Sequence, residues 1–441
     1  MGFSRVLALC GAAAVAYGYD PIAYYTPLSN VSSELGYDSF LADLGTAMGS
    51  GDTAAALLAY ETPNGALPSL REMSTQAAAT MGSQATFLQF ATEFSASDFA
   101  HRFTSAAIEG SGDFAGWDAI SLKELATKGA SYQNVWHHVV GLLGVGVARC
   151  AALNASEVAA AAASGASDAP PAAAAAGDAW DQAWAYFTGA REGVDGSGSG
   201  KGPYALGDKR CPQFGTCVAG TSLAANNERA RARWEAGREA LRAANCSAAA
   251  DARDVIIGQM AVPILQGALR EAYEVDPDGG AEDADGVVEI AEGWAFARAV
   301  LPLIAGCSGS AARVVRENMW LNADPIVKDG YGAVKAAIES TYACLGITCA
   351  DVGAMQTCGA DGASACWAAC SDDGAATVGG GDDDDEGLTS SALALILAMI
   401  GLLALILAFA KIAAVKQMQD KSQDANANGP TKPSDVLIDD A

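Results

Sequence analysis

Histidine is nearly missing from this 441-residue chain: His101, His137 and His138 are the only three. A three-histidine zinc site or a histidine-based triad would need nearly all of them, and neither an HExxH nor a GxSxG string occurs. The chain is therefore read as a binding protein and not an enzyme. Basic residues are scarce as well, 26 Lys+Arg against 52 Asp+Glu, for a net charge of −26. That balance argues against nucleic acid and anionic lipid as partners, and suits either plain solubility or the attraction of cations. Cysteines at zinc-finger spacing are missing too: Cys344 and Cys349, like Cys366 and Cys370, stand too far apart for a CxxC pair. Strand-like alternation is also rare, while Ala-rich helical periodicity is abundant. The fold class expected is mainly α, a helical-bundle ectodomain.

What the chain does hold is one long apolar run. Ser390–Ala410 (SSALALILAMIGLLALILAFA) carries no charge, Pro, Asn or Gln. As a helix it spans roughly 31 Å, matching a hydrocarbon core of about 30 Å. Asp382–Glu386 precedes it, and Lys411, Lys416 and Lys421 follow, so the tail is expected inside and everything earlier outside. Arg5, the short apolar run Val6–Val15 and Ala16-Tyr17-Gly18 read as a secretory signal peptide over 1–18. The expected organisation is a type I protein of the plasma membrane or cell surface. A first helical half (19–155) is followed by an Ala/Pro-rich linker (156–177) and a second helical half (178–343). After them come a Cys-rich segment (344–370), an acidic stalk (371–389), the membrane helix (390–410) and a cytoplasmic tail (411–441). The halves are read as related because Gly51–Tyr60 is similar to Gly177–Tyr186, although an Ala-rich chain also yields such matches by chance.

Eleven cysteines include Cys10, which leaves with the signal peptide, so the other ten form an even set fit for five disulfides. Cys211 and Cys217 are expected to pair with each other. Cys344, Cys349, Cys358, Cys366 and Cys370 crowd a Gly/Ala-rich stretch read as a disulfide-stapled knot near the membrane. Asn30, Asn154 and Asn245 head glycosylation sequons in this secretory context, the last in question if Cys246 is bridged. Helices are expected over Ser39–Gly49, Thr53–Glu61, Arg71–Thr80, Phe87–Phe94 and Asp98–Glu109. Leu122–Cys150 should be a central core helix. In the second half, Ala224–Asn245, Ala252–Glu274 with a kink at Pro263, Val287–Ala305, Ala311–Asn322 and Ala333–Leu345 follow.

The ligand chemistry narrows by elimination. Gly196–Gly202 (GSGSGKG) resembles a phosphate loop, but Gly202 stands where Ser or Thr must ligate magnesium. Asp276–Glu289 tempts a calcium reading, yet counting back from Glu289 puts Gly280 at the third position and Asp283 at the sixth, and an EF-hand needs the reverse. Flanking that loop, Glu271 and Glu274 end one helix while Glu289 and Glu292 begin the next. A three-residue spacing puts each pair on one helical face, and an antiparallel hairpin would gather all four. Ferric iron, a hard cation, favours such oxygens. Arg270 would keep the empty cluster from repelling itself. The same letters also fit two solvated surface pairs. Tyr204, Asp208 and Tyr132 offer further oxygens and His137 a nitrogen, each with an ordinary packing or capping role as the alternative.

Five blocks in order, Lys128–Trp136 (KGASYQNVW), Trp180–Gly189 (WDQAWAYFTG), Tyr204–Cys217 (YALGDKRCPQFGTC), Ile256–Ala272 and Ala291–Pro302, carry a family resemblance. The chain resembles the low-iron-inducible periplasmic proteins of algae, the Fe-assimilating proteins also described as high-CO2-inducible. The resemblance implies a secreted or surface protein that helps capture iron. A single membrane helix provides no translocation path, so an iron permease or reductase partner is implied. Two other roles remain open: an acidic structural or adhesive glycoprotein, and a part in inorganic-carbon supply.

Overall fold

Local sequence signals set most helix boundaries. The computed structural model describes residues 19–81, 84–154, 156–159, 171–276, 286–356 and 370. By packing, the chain divides after Ala376, and all described residues lie in the first unit. The segments read from the sequence as signal peptide (1–18), stalk (371–389), membrane helix (390–410) and tail (411–441) fall outside the described residues. Among the described residues, no helix is long and apolar enough to cross a membrane.

The first helices are α1 (Asp38–Ser50), α2 (Thr53–Glu61), α3 (Leu70–Met81), α4 (Ala85–Glu93), α5 (Phe99–Glu109), α6 (Ala119–Gly129) and α7 (Trp136–Ala151). Asp52 starts α2 by accepting the Ala55 N–H at 2.9 Å, and Asp118 starts α6 by accepting those of Ile120 and Ser121 at 2.8 and 3.0 Å. The expected helix over Leu122–Cys150 is interrupted. A π-helical turn, Ala130–Val135, joins α6 to α7. Asn134, in that turn, donates from Nδ2 to Tyr60 Oη at 2.7 Å and to Leu70 O at 3.0 Å, so its buried amide holds α2 and α3 against α7.

After it come α8 (Pro171–Thr188), α9 (Pro203–Phe214), α10 (Ala225–Arg242), α11 (Cys246–Glu274), α12 (Gly286–Cys307), α13 (Gly309–Met319), α14 (Tyr331–Glu339) and α15 (Cys349–Val352). Helix α8 begins inside the stretch read as linker (156–177), of which 160–170 lie outside the described residues. The two matched strings take different places, since Gly51-Asp52 is a helix boundary and Gly177-Asp178 lies within α8. Pro263 and Pro302 are carried inside α11 and α12. Among the described residues, β pairing is limited to isolated bridges such as Cys217 with Ala224.

The core runs through both halves. Helix α7 lies along α8, α10 along α11, and α11 along α12, and α6 also packs on α12. Trp136, Trp180, Trp184 and Trp234 are fully buried. Trp180 Nε1 donates to Trp234 O at 2.9 Å, and Trp234 Nε1 returns a bond to Trp180 O at 3.2 Å. Gly237 is required beside them, because a Cβ there would collide with the Trp180 ring. The N-terminal segment is clamped by Asp181 on α8, which accepts from Tyr25 Oη at 2.5 Å and from the amides of Leu28 and Ser29 at 2.7 and 2.9 Å.

Four disulfides are present among the described residues: Cys150–Cys246, Cys211–Cys217, Cys307–Cys344 and Cys349–Cys370. The Cys211–Cys217 pairing is as expected. The knot is not self-contained, for Cys344 is tied back to Cys307 at the end of α12. Its start is anchored in the main core through Tyr342, Ile347, Val352 and Met355, which supplies the apolar contacts that the Gly/Ala-rich stretch lacks. Cys358 and Cys366 lie outside the described residues.

Candidate functional site

Helices α11 and α12 form the expected hairpin; the acidic loop 277–285 between them lies outside the described residues. Glu271 and Glu274 stand on the last turn of α11, Glu289 and Glu292 on the first turns of α12. Gly293 lets the helices close at this end, since a Cβ on it would lie 3.1 Å from Glu271 Cβ and 2.9 Å from Met319. The carboxylates feel one another: the charges of Glu271 and Glu289 both act on Glu274, and that of Glu271 acts on Glu292.

Three cations are woven between them. Arg210, from α9, reaches Glu271 Oε1 at 3.0 Å, and both side chains are fully buried. Arg270 contacts Glu271 at 2.7 Å and Glu274 at 2.5 Å. Lys128, delivered by the last turn of α6, bridges Glu292 at 3.0 Å and Glu124 at 2.5 Å. Glu124 is thus a fifth carboxylate in the group, one that the sequence spacing did not point to. Burial is the leading pressure raising Glu292, and Lys128 opposes it. Among the described residues, no group of three or more His, Cys, Asp and Glu is arranged to hold a metal ion as it stands. The guanidinium and ammonium groups occupy the space between the carboxylates instead.

A cavity of about 560 Å³ opens beside Lys128 and Phe296, within the size range of small-molecule pockets. Lys123, Lys128, Arg191, Lys201 and Lys209 line it with Glu124, a concentration of five cations in a chain that has only 26. The π turn places Tyr132 on its wall, stacked on Phe296 with ring centroids 5.5 Å apart.

The remaining candidate ligands lie elsewhere. His137 belongs to the aromatic core, 4.1 Å from the Phe90 ring and 4.9 Å from that of Phe99, with neither ring nitrogen hydrogen-bonded. Burial drives its pKa down to about 3, so it is a neutral packing residue. Tyr204 and Asp208 share a face of α9 near Glu192, whose charge also acts on Tyr37, and the oxygens of Tyr204, Glu192 and Tyr37 press against Gly196, Gly200 and Gly202. Sequence reasoning missed Tyr37 and Glu192. Gly196, Gly200 and Gly202, which admit the oxygens of Tyr204, Glu192 and Tyr37, are the available signal, although as a string they resemble a phosphate loop.

Residues 4–378 match the family model described as low iron-inducible periplasmic protein. The chain belongs to that family. No curated protein and no solved structure matches it. The family's description ties its members to low iron and to the periplasm, and the match runs through all five sequence blocks, the carboxylate hairpin and the Gly-rich segment.

In this member of the family, burial and then the Glu271 charge push Glu274 up to about 8 from an ordinary 4.5. The folded protein therefore holds a proton that the unfolded chain has released. Stability from this group is fully present below pH 4.5 and is lost as pH rises through about 8. Glu274→Gln should accordingly raise the thermal midpoint near pH 8 and leave it almost unchanged near pH 4. Equal shifts at the two pH values would show that Glu274 is not strained by its neighbours.

Proposed function

We propose that the protein captures iron outside the cell and passes it to a separate permease or reductase, without chemistry of its own. The observation that carries this reading is the gathering of Glu271, Glu274, Glu289 and Glu292 at one end of the α11–α12 hairpin. Family membership supports it from the side of iron supply. Ferric iron is the cation that such a set of hard oxygens favours.

In the apo protein, Arg270 and a proton on Glu274 offset the crowded negative charge. Incoming iron would displace both. Arg270 lies partly exposed on the last turn of α11, so its side chain is free to swing into solvent, whereas Arg210 is enclosed and stays with Glu271. Tethering by Ser390–Ala410 would hold the loaded domain beside a membrane partner.

Equilibrium dialysis of the purified protein against ferric nitrilotriacetate, beside a variant with all four glutamates changed to Gln, tests the reading. Stoichiometric binding that disappears in the variant is the expected result. Retained binding would remove these four residues from the site. Absence of binding in both would favour an acidic structural glycoprotein.

A further inference from the structure

A second group of oxygens differs from the hairpin cluster in that, among the described residues, no ion pair reaches its carboxylates, Glu192 and Asp208, although Asp208 Oδ1 accepts from the Ala224 amide at 2.7 Å and from Asn227 Nδ2 at 3.1 Å. Tyr37 closes a short 3-10 turn before α1, Glu192 sits just after α8, and Tyr204 and Asp208 lie one turn apart on α9. Tyr37, Glu192 and Tyr204 are each at most 2 % exposed. Neither phenol oxygen has a hydrogen-bond partner, and Glu192 Oε1 lacks one of good geometry although the Gly200 amide faces the carboxylate. Buried polar oxygens normally find partners, and each one left alone costs stability. Three together point to a missing ligand.

The Gly-rich segment is shaped around these atoms. A Cβ at Gly196 would collide with Tyr204 Oη, one at Gly200 with Glu192 Oε1, and one at Gly202 with Tyr37 Oη. The pattern GSGSGKG thus reads as a backbone cradle for three oxygens. Glu192 is their common neighbour: its charge acts on both phenols, while those of Asp38 and Asp208 act on it. Among the described residues, no cation eases Glu192 or Asp208. Burial and these neighbours push Glu192 up to about 7 and burial pushes Asp208 up to about 6, while both phenols are raised well above their ordinary range. Buried acids without counter-charge are expensive unless a cation joins them.

We propose that Tyr37, Glu192 and Tyr204, with Asp208 beside them, form a metal site for a hard, highly charged cation under the Gly193–Gly202 segment. The donors are all oxygen, which excludes soft metals. Two phenols and two carboxylates can together supply up to four negative charges, which favours a trivalent ion over calcium or magnesium, whose sites are built from carboxylates, carbonyls and water. On binding, each phenol releases its proton to solvent and donates a phenolate lone pair to the ion. Naming that ion as ferric iron rests on the proposed function; the site itself does not.

Ferric nitrilotriacetate titrated into the purified protein, followed by visible absorption and dialysis, tests this. Ferric phenolates are coloured and ferric carboxylates nearly colourless. Wild type should develop a visible charge-transfer band, and Tyr37→Phe or Tyr204→Phe should each diminish it and weaken binding by at least about tenfold, the loss typical of lesser changes around metal sites. Each Phe variant removes a hydroxyl that bonds to nothing, so its apo form should unfold no earlier than wild type, which separates lost binding from lost fold. Glu192→Gln supplies a third, non-aromatic variant with the same expected loss. The hairpin variant lacking all four glutamates should keep the colour. Colourless binding that vanishes with those four glutamates would overturn the tyrosine site while leaving the hairpin reading intact. Colour kept by both Phe variants would overturn it as well. No ferric binding in any form would overturn both.

Discussion

Arg210→Met should destabilise the folded protein by about 3–5 kcal/mol, the cost of leaving a buried charge without its partner. Arg210 and Glu271 are both fully enclosed, with Nη2 and Oε1 3.0 Å apart. Arg210 also donates to Gln213 Oε1 at 2.9 Å and lies over the Phe296 ring at 5.0 Å. Methionine fills much of that volume, so the loss is electrostatic more than steric. Arg270 remains on Glu271 at 2.7 Å, which places the expected value toward the lower end. The diagnostic is the double variant Arg210→Met, Glu271→Gln. Removing both charges should recover most of the stability, because the pair itself contributes little beyond its own desolvation. If urea unfolding shows the double variant as unstable as the single one, Arg210 acts through packing alone. The same experiment bears on function: Glu271 held by Arg210 is a fully enclosed oxygen, whereas the Glu274 and Glu292 side chains keep 29% and 17% of their surface exposed.

Much of this arrangement was legible in the sequence where it depends on neighbours along the chain. Helix α2 matches its expected bounds, Thr53–Glu61, because Asp52 caps it and the Ala/Leu periodicity stops at Thr62. The α11–α12 hairpin and its paired glutamates follow from three-residue spacing on either side of one loop. The Cys211–Cys217 bridge follows from proximity. What stayed hidden depends on contacts distant in sequence. Ala130–Val135 (ASYQNV) holds no Pro or Gly that would break a helix, so nothing in the local sequence marks the change to π hydrogen bonding. Lys128 and Glu124 reach the hairpin only because α6 packs on α12. Tyr37 and Glu192 are brought together by the fold, and neither sits in a recognisable pairing; only the spacing of Gly196, Gly200 and Gly202 hinted that something must come close. Cysteine connectivity is combinatorial, which is why the link from Cys344 to Cys307 was not foreseen.

Replacing both Cys150 and Cys246 with Ala should lower stability by about 4–5 kcal/mol, the chain-entropy value for a loop approaching one hundred residues. The bridge spans a sequence separation of 96 and joins the end of α7 to the start of α11. Helices α8, α9 and α10 all lie within that loop, together with Tyr204, Glu192 and the glycine cradle. In the native state the bridge adds little that packing does not already secure. Cys150 is buried, α7 and α8 approach closely enough that a Cβ on Gly146 would lie 3.1 Å from Ala176 O, and Asn245 caps α11 by accepting the Ala248 amide at 3.3 Å. Its effect should therefore appear in the unfolded state. Urea unfolding of the double-Ala protein is expected to show a steeper denaturant dependence as well as a lower midpoint, because the released chain expands further. A loss below about 1 kcal/mol, or an unchanged slope, would mean that the unfolded chain is already restrained in this region. Such a dependence on one long-range bridge suits a protein that folds in an oxidising compartment, which the family's periplasmic description supports.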